Sequence, residues 1–276
     1  MKFLVPTDFS IQSEVAVMYA SRLATELESE LLLLYVLFTD EASNTAQLKS
    51  TETIEKELTQ KSSRKFAELI RKIRDYAGVN LQVSFAIRKG FPIEKTIEAH
   101  AKENDTELIV MGTRGGGPIR RLFMGSTAAS VIGYSSLPVI TVPENAEFKG
   151  LKHIVYPTNM WTLEEELDAL VPLARIFSST IHVLHVVSPD SAEKPDKEKV
   201  LQSLIEKTNY EKIIFHISKN SKVVDGIDAY MELINADLLA MFTHELTFLE
   251  KLFGKSLTRQ MVFHSKTPML TFIREV

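Results

Sequence analysis

Residues 108–127 read LIVMGTRGGGPIRRLFMGST, and residues 238–257 read LLAMFTHELTFLEKLFGKSL. The first stretch is a short apolar run, a glycine-rich segment, and then Gly125-Ser126-Thr127 at the opening of a helical pattern. The second is the same stretch displaced by 130 residues, with Phe242 in place of Gly112, Glu245 in place of Gly115 and Lys255 in place of Gly125. A buried strand, a loop and a helix in that order form a strand–loop–helix unit of a parallel α/β sheet. Its recurrence at a fixed offset makes the chain a tandem repeat.

Working outward, both halves show the same order of elements. Phe3–Val5 is an apolar strand closed by Pro6-Thr7-Asp8, and Ile154–Tyr156 is closed by Pro157-Thr158-Asn159. Ser10 is placed to cap the helix whose stripe is Ala16, Tyr19, Ala20, Leu23, Ala24 and Leu27. Thr162 and Glu165 form a capping-box pattern ahead of Leu167, Leu170, Val171 and Ala174, with Pro172 a candidate kink. Leu31–Leu37 is continuously apolar, as expected of a central parallel strand, and Ile181–Val187 matches it in the second half. Residues 39–49 read as a loop, 50–77 as a long polar helix, and 188–198 as a charged loop before a shorter helix. The alternation at Leu81, Val83, Phe85 and Ile87, and at Ile213, Phe215 and Ile217, predicts strands nearer a sheet edge. Helices marked by Ile93, Ile97 and Ala101, and strands at 137–142, 238–241 and 269–272, complete the two sets. The expected domains are 1–146 and 151–276, joined by a short polar linker and packed as an intramolecular pseudo-dimer.

Composition sets the outer limits. With 276 residues, 45% hydrophobic and 25% charged, each half is long enough for its own core. A net charge of −4 gives no hint of a nucleic-acid or acidic-membrane partner. The absence of cysteine removes disulfides and thiol chemistry and fits a reducing compartment. The start, MKFLVPTDFS, does not read as a signal peptide, and no run of about 20 apolar residues spans a membrane, so the cytoplasm is expected.

The glycine segment carries the chemistry. Gly112 and Gly115 lack a Cβ, so a diphosphate can approach the main chain, and consecutive N–H groups there form an anion nest. Gly125, Ser126 and Thr127 open a helix whose free N–H groups and dipole favour anions, while Arg114, Arg120 and Arg121 add positive charge. A glycine-rich surface loop that binds nothing is the competing reading. The position after a buried strand and before a helix favours the cradle.

These features resemble the universal stress protein family. Gly112, Gly115 and Gly125-Ser126 match its Gly-x2-Gly-x9-Gly-Ser/Thr nucleotide motif, and VPTDFS and LLYV are similar to its other signatures. The resemblance covers both halves. It implies an α/β, adenine nucleotide α-hydrolase-like (Rossmann-like) fold of two five-stranded parallel sheets in the order 3-2-1-4-5. It also implies an adenine nucleotide, ATP or else ADP or AMP, with Mg accompanying the phosphates. Base and ribose would lie at Pro6, Thr7, Asp8 and Val36, with Met111 as a wall, and the phosphates on Gly112, Arg114, Gly115, Gly125, Ser126 and Thr127. For Asp8 the alternative is an Asx turn or a helix-terminal charge, and for Val36 it is core packing.

In the second copy Asn159 removes the charge of Asp8 and Glu245 sets a carboxylate where phosphate would sit. Two like charges about 4 Å apart repel by roughly 4 kcal/mol at an effective dielectric of about 20. The C-terminal domain is therefore expected to bind ATP poorly, although Gly254-Lys255-Ser256 keeps the elements of an altered anion site. His182 and His185 are three apart on a strand, on opposite faces, and make a poor metal pair. His216, His244 and His264 stand apart in the sequence. Glu57–Lys61 and Glu68–Lys72 read as i,i+4 pairs on a solvated face. No SGGxDS or HIGH-type sequence and no acid–base constellation points to an enzyme, so at most slow ATP hydrolysis is expected. The readings are a nucleotide-binding stress sensor or regulator, or a non-nucleotide interaction or scaffold module, monomeric or homodimeric.

Overall fold

The computed structural model describes residues 1–37, 51–113, 126–161, 163–191, 195–243 and 267–273. It divides into two compact units, Met1–Phe148 and Lys149–Val276. In the first, β1 (Lys2–Pro6), α1 (Ile11–Glu26), β2 (Glu30–Leu37), α2 (Thr51–Ala77), β3 (Val83–Lys89), α3 (Ile93–Glu103), β4 (Leu108–Gly112), α4 (Ser126–Tyr134) and β5 (Val139–Val142) alternate along the chain. The strands pair in parallel in the order β3-β2-β1-β4-β5. Phe3, Leu4, Val5, Leu31, Leu33, Ile109 and Val139 are fully enclosed, which is why β1, β2 and β5 read as unbroken apolar runs. Strand β3 lies at an edge, and its exposed Phe85 accounts for the alternating pattern there. It begins at Val83, two residues later than the alternation from Leu81 suggested.

Local chemistry sets the ends of these elements. The Ser10 hydroxyl accepts from the Ser13 N–H and caps α1. Helix α2 buries Phe66, Leu69, Ile73 and Ala77, a stripe at helical spacing. Its charges are solvated but not confined to their own helix: Lys72 reaches across to Glu14 of α1 at 2.5 Å, and Glu55 pairs with Lys89 of β3. These contacts fasten α2 over the sheet, although exposed pairs of this kind add little stability each.

The second unit repeats the plan: β6 (His153–Pro157), α5 (Leu163–Phe177), β7 (Thr180–Val187), α6 (Lys197–Thr208), β8 (Ile213–Lys219), α7 (Val223–Ile234), β9 (Leu238–Thr243) and β10 (Met269–Ile273). The pairing is again parallel, in the order β8-β7-β6-β9-β10. Helix α5 runs through Pro172, and α6 has 12 residues against the 27 of α2. The candidate capping residue Thr162, residues 38–50 and 114–125, and residues 244–266, which include Glu245, Gly254, Lys255, Ser256, His244 and His264, lie outside the described residues. No helix of the described residues is long and apolar enough to cross a membrane.

Candidate functional site

In a parallel sheet every strand of a unit delivers its following loop to the same end, and the switch in strand order between β1 and β4 leaves a crevice there. A cavity of about 200 Å³ occupies that position in the first unit. Its lining brings together Pro6, Thr7 and Asp8 after β1, Val36 of β2, Met111 and Gly112 of β4, and Thr127 of α4, seven of the eleven residues expected from the sequence. Arg114, Gly115 and Gly125 lie outside the described residues, as does the side chain of Ser126 in the first turn of α4. The sequence reading did not single out Ser13, Leu34, Tyr35, Ile93, Ile97 and Ala128, which complete the lining. Ile93 and Ile97 were visible only as a helical stripe. The available clue was topological: a crossover helix begins at the same end of the sheet where the strands finish.

The polar groups of the cavity are held by a tight turn. The Thr7 hydroxyl is 3.0 Å from that of Ser13 and accepts from the Phe9 N–H at 3.1 Å. The Asp8 carboxylate accepts from the Ser10 N–H at 2.9 Å, the Asx turn that was the alternative role for this residue. Asp8 is exposed and also lines the cavity, so the turn does not remove it from the site. Phe9 is held at φ 61°, a conformation bulky residues avoid, and its ring packs against Tyr35 and Phe66 at 5.0 and 4.9 Å. Met111, Leu34, Ile97 and Ala128 are buried, Val36 and Ile93 half-buried, so the cavity has an apolar floor with hydroxyls and a carboxylate at one rim. That combination suits a flat heterocycle carrying a polyol.

The second unit keeps the turn and alters its surroundings. Thr158 accepts from the Met160 N–H at 2.9 Å, Asn159 accepts from the Trp161 N–H at 3.1 Å, and Met160 has φ 74°. Phe242 occupies the strand position of Gly112, because it pairs with Phe272 in register as Gly112 pairs with Val142. The two phenyl rings stack at 4.5 Å, and Tyr156, which replaces Val5, meets Phe242 edge-on at 5.5 Å while donating its hydroxyl to buried Glu166 of α5. Where the first unit has bare main chain at the end of β4, the second has an aromatic cluster.

The same unit contains a histidine network. His182 and His185 do turn to opposite faces, and His185 Nδ1 meets the Thr158 carbonyl at 3.0 Å. His182 is buried, with Nε2 3.1 Å from His153 Nδ1 and Nδ1 3.0 Å from the Tyr230 hydroxyl. His216, separate in the sequence, stacks on Tyr230 at 4.5 Å. Burial, reinforced by His153 and His216, pushes the His182 pKa down to about 4. Among the described residues no group of three or more His, Asp or Glu side chains is arranged to hold a metal ion.

Comparison with known proteins gives a consistent picture. The sequence model of the Universal stress protein family matches twice, at residues 1–143 and 150–272. Universal stress protein MJ0577 of Methanocaldococcus jannaschii is 29% identical over 155 residues, covering 51% of this chain and 93% of that protein. Universal stress protein MJ0531 of the same organism is 29% identical over 141 residues, covering 51% and 81%. A universal stress protein structure from Archaeoglobus fulgidus superposes with a TM-score of 0.76 over 99% of this chain and 98% of that one, at 20% identity, a likeness of fold.

Proposed function

The chain belongs to the universal stress protein family, and from that premise we propose that its first unit binds an adenine nucleotide and that the protein acts as a stress-response sensor or regulator. Base and ribose occupy the cavity at the ends of β1, β2 and β4. The phosphates run over Gly112 toward the start of α4, where Gly115, Gly125, Ser126 and Thr127 supply main-chain and hydroxyl donors. The observation that carries this reading is the convergence of Pro6, Thr7, Asp8, Val36, Met111, Gly112 and Thr127, drawn from four separate segments of sequence, on one cavity. Its volume of about 200 Å³ is below the usual range for a whole ligand, which fits a nucleoside portion whose phosphates extend beyond the described walls. The protein's part is to bind and orient, and a divalent metal such as Mg travels with the phosphates. The second unit stays empty of nucleotide, because Phe242 and Glu245 replace the glycines.

Titration calorimetry of the full chain tests the proposal. One adenine nucleotide per chain is expected, with Gly115→Glu abolishing binding while thermal melting is preserved. Two sites per chain would overturn the assignment to the first unit. Absence of binding would leave the interaction or scaffold reading in its place.

A further inference from the structure

Glu98 is a buried carboxylate that does not line the cavity yet ties α3, which does, to the turn after α4. It follows Ile97, which faces the cavity, and α3 turns it toward the exit of α4. Its Oε1 accepts from the Ser136 N–H at 3.1 Å and the Ser136 hydroxyl at 2.6 Å, and lies 3.1 Å from Lys102 Nζ. Burial raises the pKa of this carboxyl, but the Ser136, Ser135 and Lys102 interactions outweigh it and the net displacement is downward, so the group stays ionised near neutrality. A second tie lies alongside, the Lys95 ammonium over the Tyr134 ring at 5.8 Å. The second tie holds Tyr134, the last residue of α4, and the first holds Ser136 in the turn that follows it. The other end of that nine-residue helix puts Thr127 and Ala128 on the cavity, roughly 10 Å from Tyr134 at about 1.5 Å per residue. A short helix fixed at its far end is fixed in direction, and so is the first turn it presents.

We propose that Glu98 is a positioning residue for the nucleotide: by locking the exit of α4 to α3 it sets the start of α4 where the phosphates arrive. This rests on the nucleotide reading above. A ligand without phosphates rests mainly on the β1, β2 and β4 ends and meets α4 only at Thr127 and Ala128, so it senses the lock less. A ligand with phosphates depends on the first turn of α4 and senses it without contact.

The test uses the full chain as wild type, Glu98→Ala, Glu98→Gln and Ser136→Ala, with adenosine and ATP as probes and hydrogen exchange of residues 126–134 in the nucleotide-free protein. In Glu98→Ala, ATP affinity is expected to fall about tenfold and exchange in α4 to quicken about as much, with adenosine affinity changed less than about threefold. Glu98→Gln, whose amide oxygen can still accept from Ser136, is expected to recover part of both losses. Ser136→Ala is the milder lesion if Glu98→Ala fails to fold, with the same bias toward ATP. Equal weakening of adenosine and ATP, or unchanged exchange in α4, would overturn the positioning role alone. A wild-type chain that binds neither probe would overturn the nucleotide reading and this proposal with it.

Discussion

Asp8→Asn separates the two roles of Asp8, because the second unit already carries the substitution. The Asx turn survives with an amide oxygen: Asn159 accepts from the Trp161 N–H at 3.1 Å as Asp8 accepts from the Ser10 N–H at 2.9 Å, and the following residue keeps its positive φ in both copies. The variant should therefore melt within about 0.5 kcal/mol of wild type. Ligand binding should not be spared. A hydrogen bond accepted by a charged group is worth about 1.5–3 kcal/mol and by a neutral one about 0.5–1.5 kcal/mol. Losing roughly 1.4 kcal/mol weakens adenosine about tenfold. ATP should suffer less, since removing the carboxylate also removes its repulsion of the phosphates. At about 8 Å in water that repulsion is roughly 0.5 kcal/mol per charge before screening, and salt cuts it by more than half. Summed over the phosphate charges, it returns enough that ATP should weaken only about threefold, the opposite bias to that expected of Glu98→Ala. Calorimetry with both ligands at two salt concentrations makes the comparison. Unchanged adenosine affinity would refute the carboxylate as an acceptor. A loss of more than about 1 kcal/mol in stability would refute the equivalence of the two turns.

Two further outcomes are expected. His182, with a pKa of about 4 against 6.5 for the free side chain, takes up its proton more readily when unfolded, so its contribution is complete above pH 6.5 and drains away as the pH falls to about 4, by up to roughly 3 kcal/mol. His182→Leu, which copies Leu32 of the first unit, should lose that acid dependence but cost about 1–2 kcal/mol at pH 7.5, because the Tyr230 hydroxyl and His153 Nδ1 lose their partner; hydrogen exchange of β6 and β7 against pH should show the two curves crossing, and parallel curves would count against the network. Gly90→Ala should destabilise α3 by about 1–3 kcal/mol, since a Cβ there would lie 2.1 Å from Thr96 Oγ1 and 3.0 Å from Thr96 Cβ, and a chemical-denaturation cycle with Thr96→Ala should recover most of the loss.

Much of the fold was legible because its signals are local. Apolar runs at Phe3–Val5 and Leu31–Leu34 become enclosed strands, and Ser10 caps the helix it precedes. The strand order was not legible in that way: periodicity says that a strand exists but not which strand lies beside it, and here the order came through family resemblance. The site followed the same division. Gly112 and Thr127 stood out because glycine and helix-start chemistry mark a strand–loop–helix junction on sight. Ile93 and Ile97 did not, because an isoleucine lining a cavity and one packed in a core occupy the same helical stripe. Glu98 and Ser136 are 38 residues apart, and no spacing rule connects a helix carboxylate to a turn serine at that separation. The reading of His182 and His185 as opposite-facing was correct as far as one strand goes. Register then sets His153 opposite Thr180 and His216 opposite Leu184, which brings both rings to the face that His182 occupies.

At the carboxyl ends of the central strands the two units carry different side chains on the same strand pairing. Val5, Gly112 and Val142 of the first unit correspond to Tyr156, Phe242 and Phe272 of the second, and the incoming rings satisfy one another by stacking and by the Tyr156–Glu166 hydrogen bond. One such ring set alone against aliphatic neighbours would overfill its site by the volume of several methylenes, a change that usually costs about 1–3 kcal/mol. Three together with a buried acceptor form a self-contained cluster. The sheet beneath needs no adjustment, because strand pairing is a main-chain property and the register at β9–β10 matches that at β4–β5. The fold accepts a phenylalanine at the position of Gly112 once its neighbours change, so strand pairing alone does not require the glycine of the first unit.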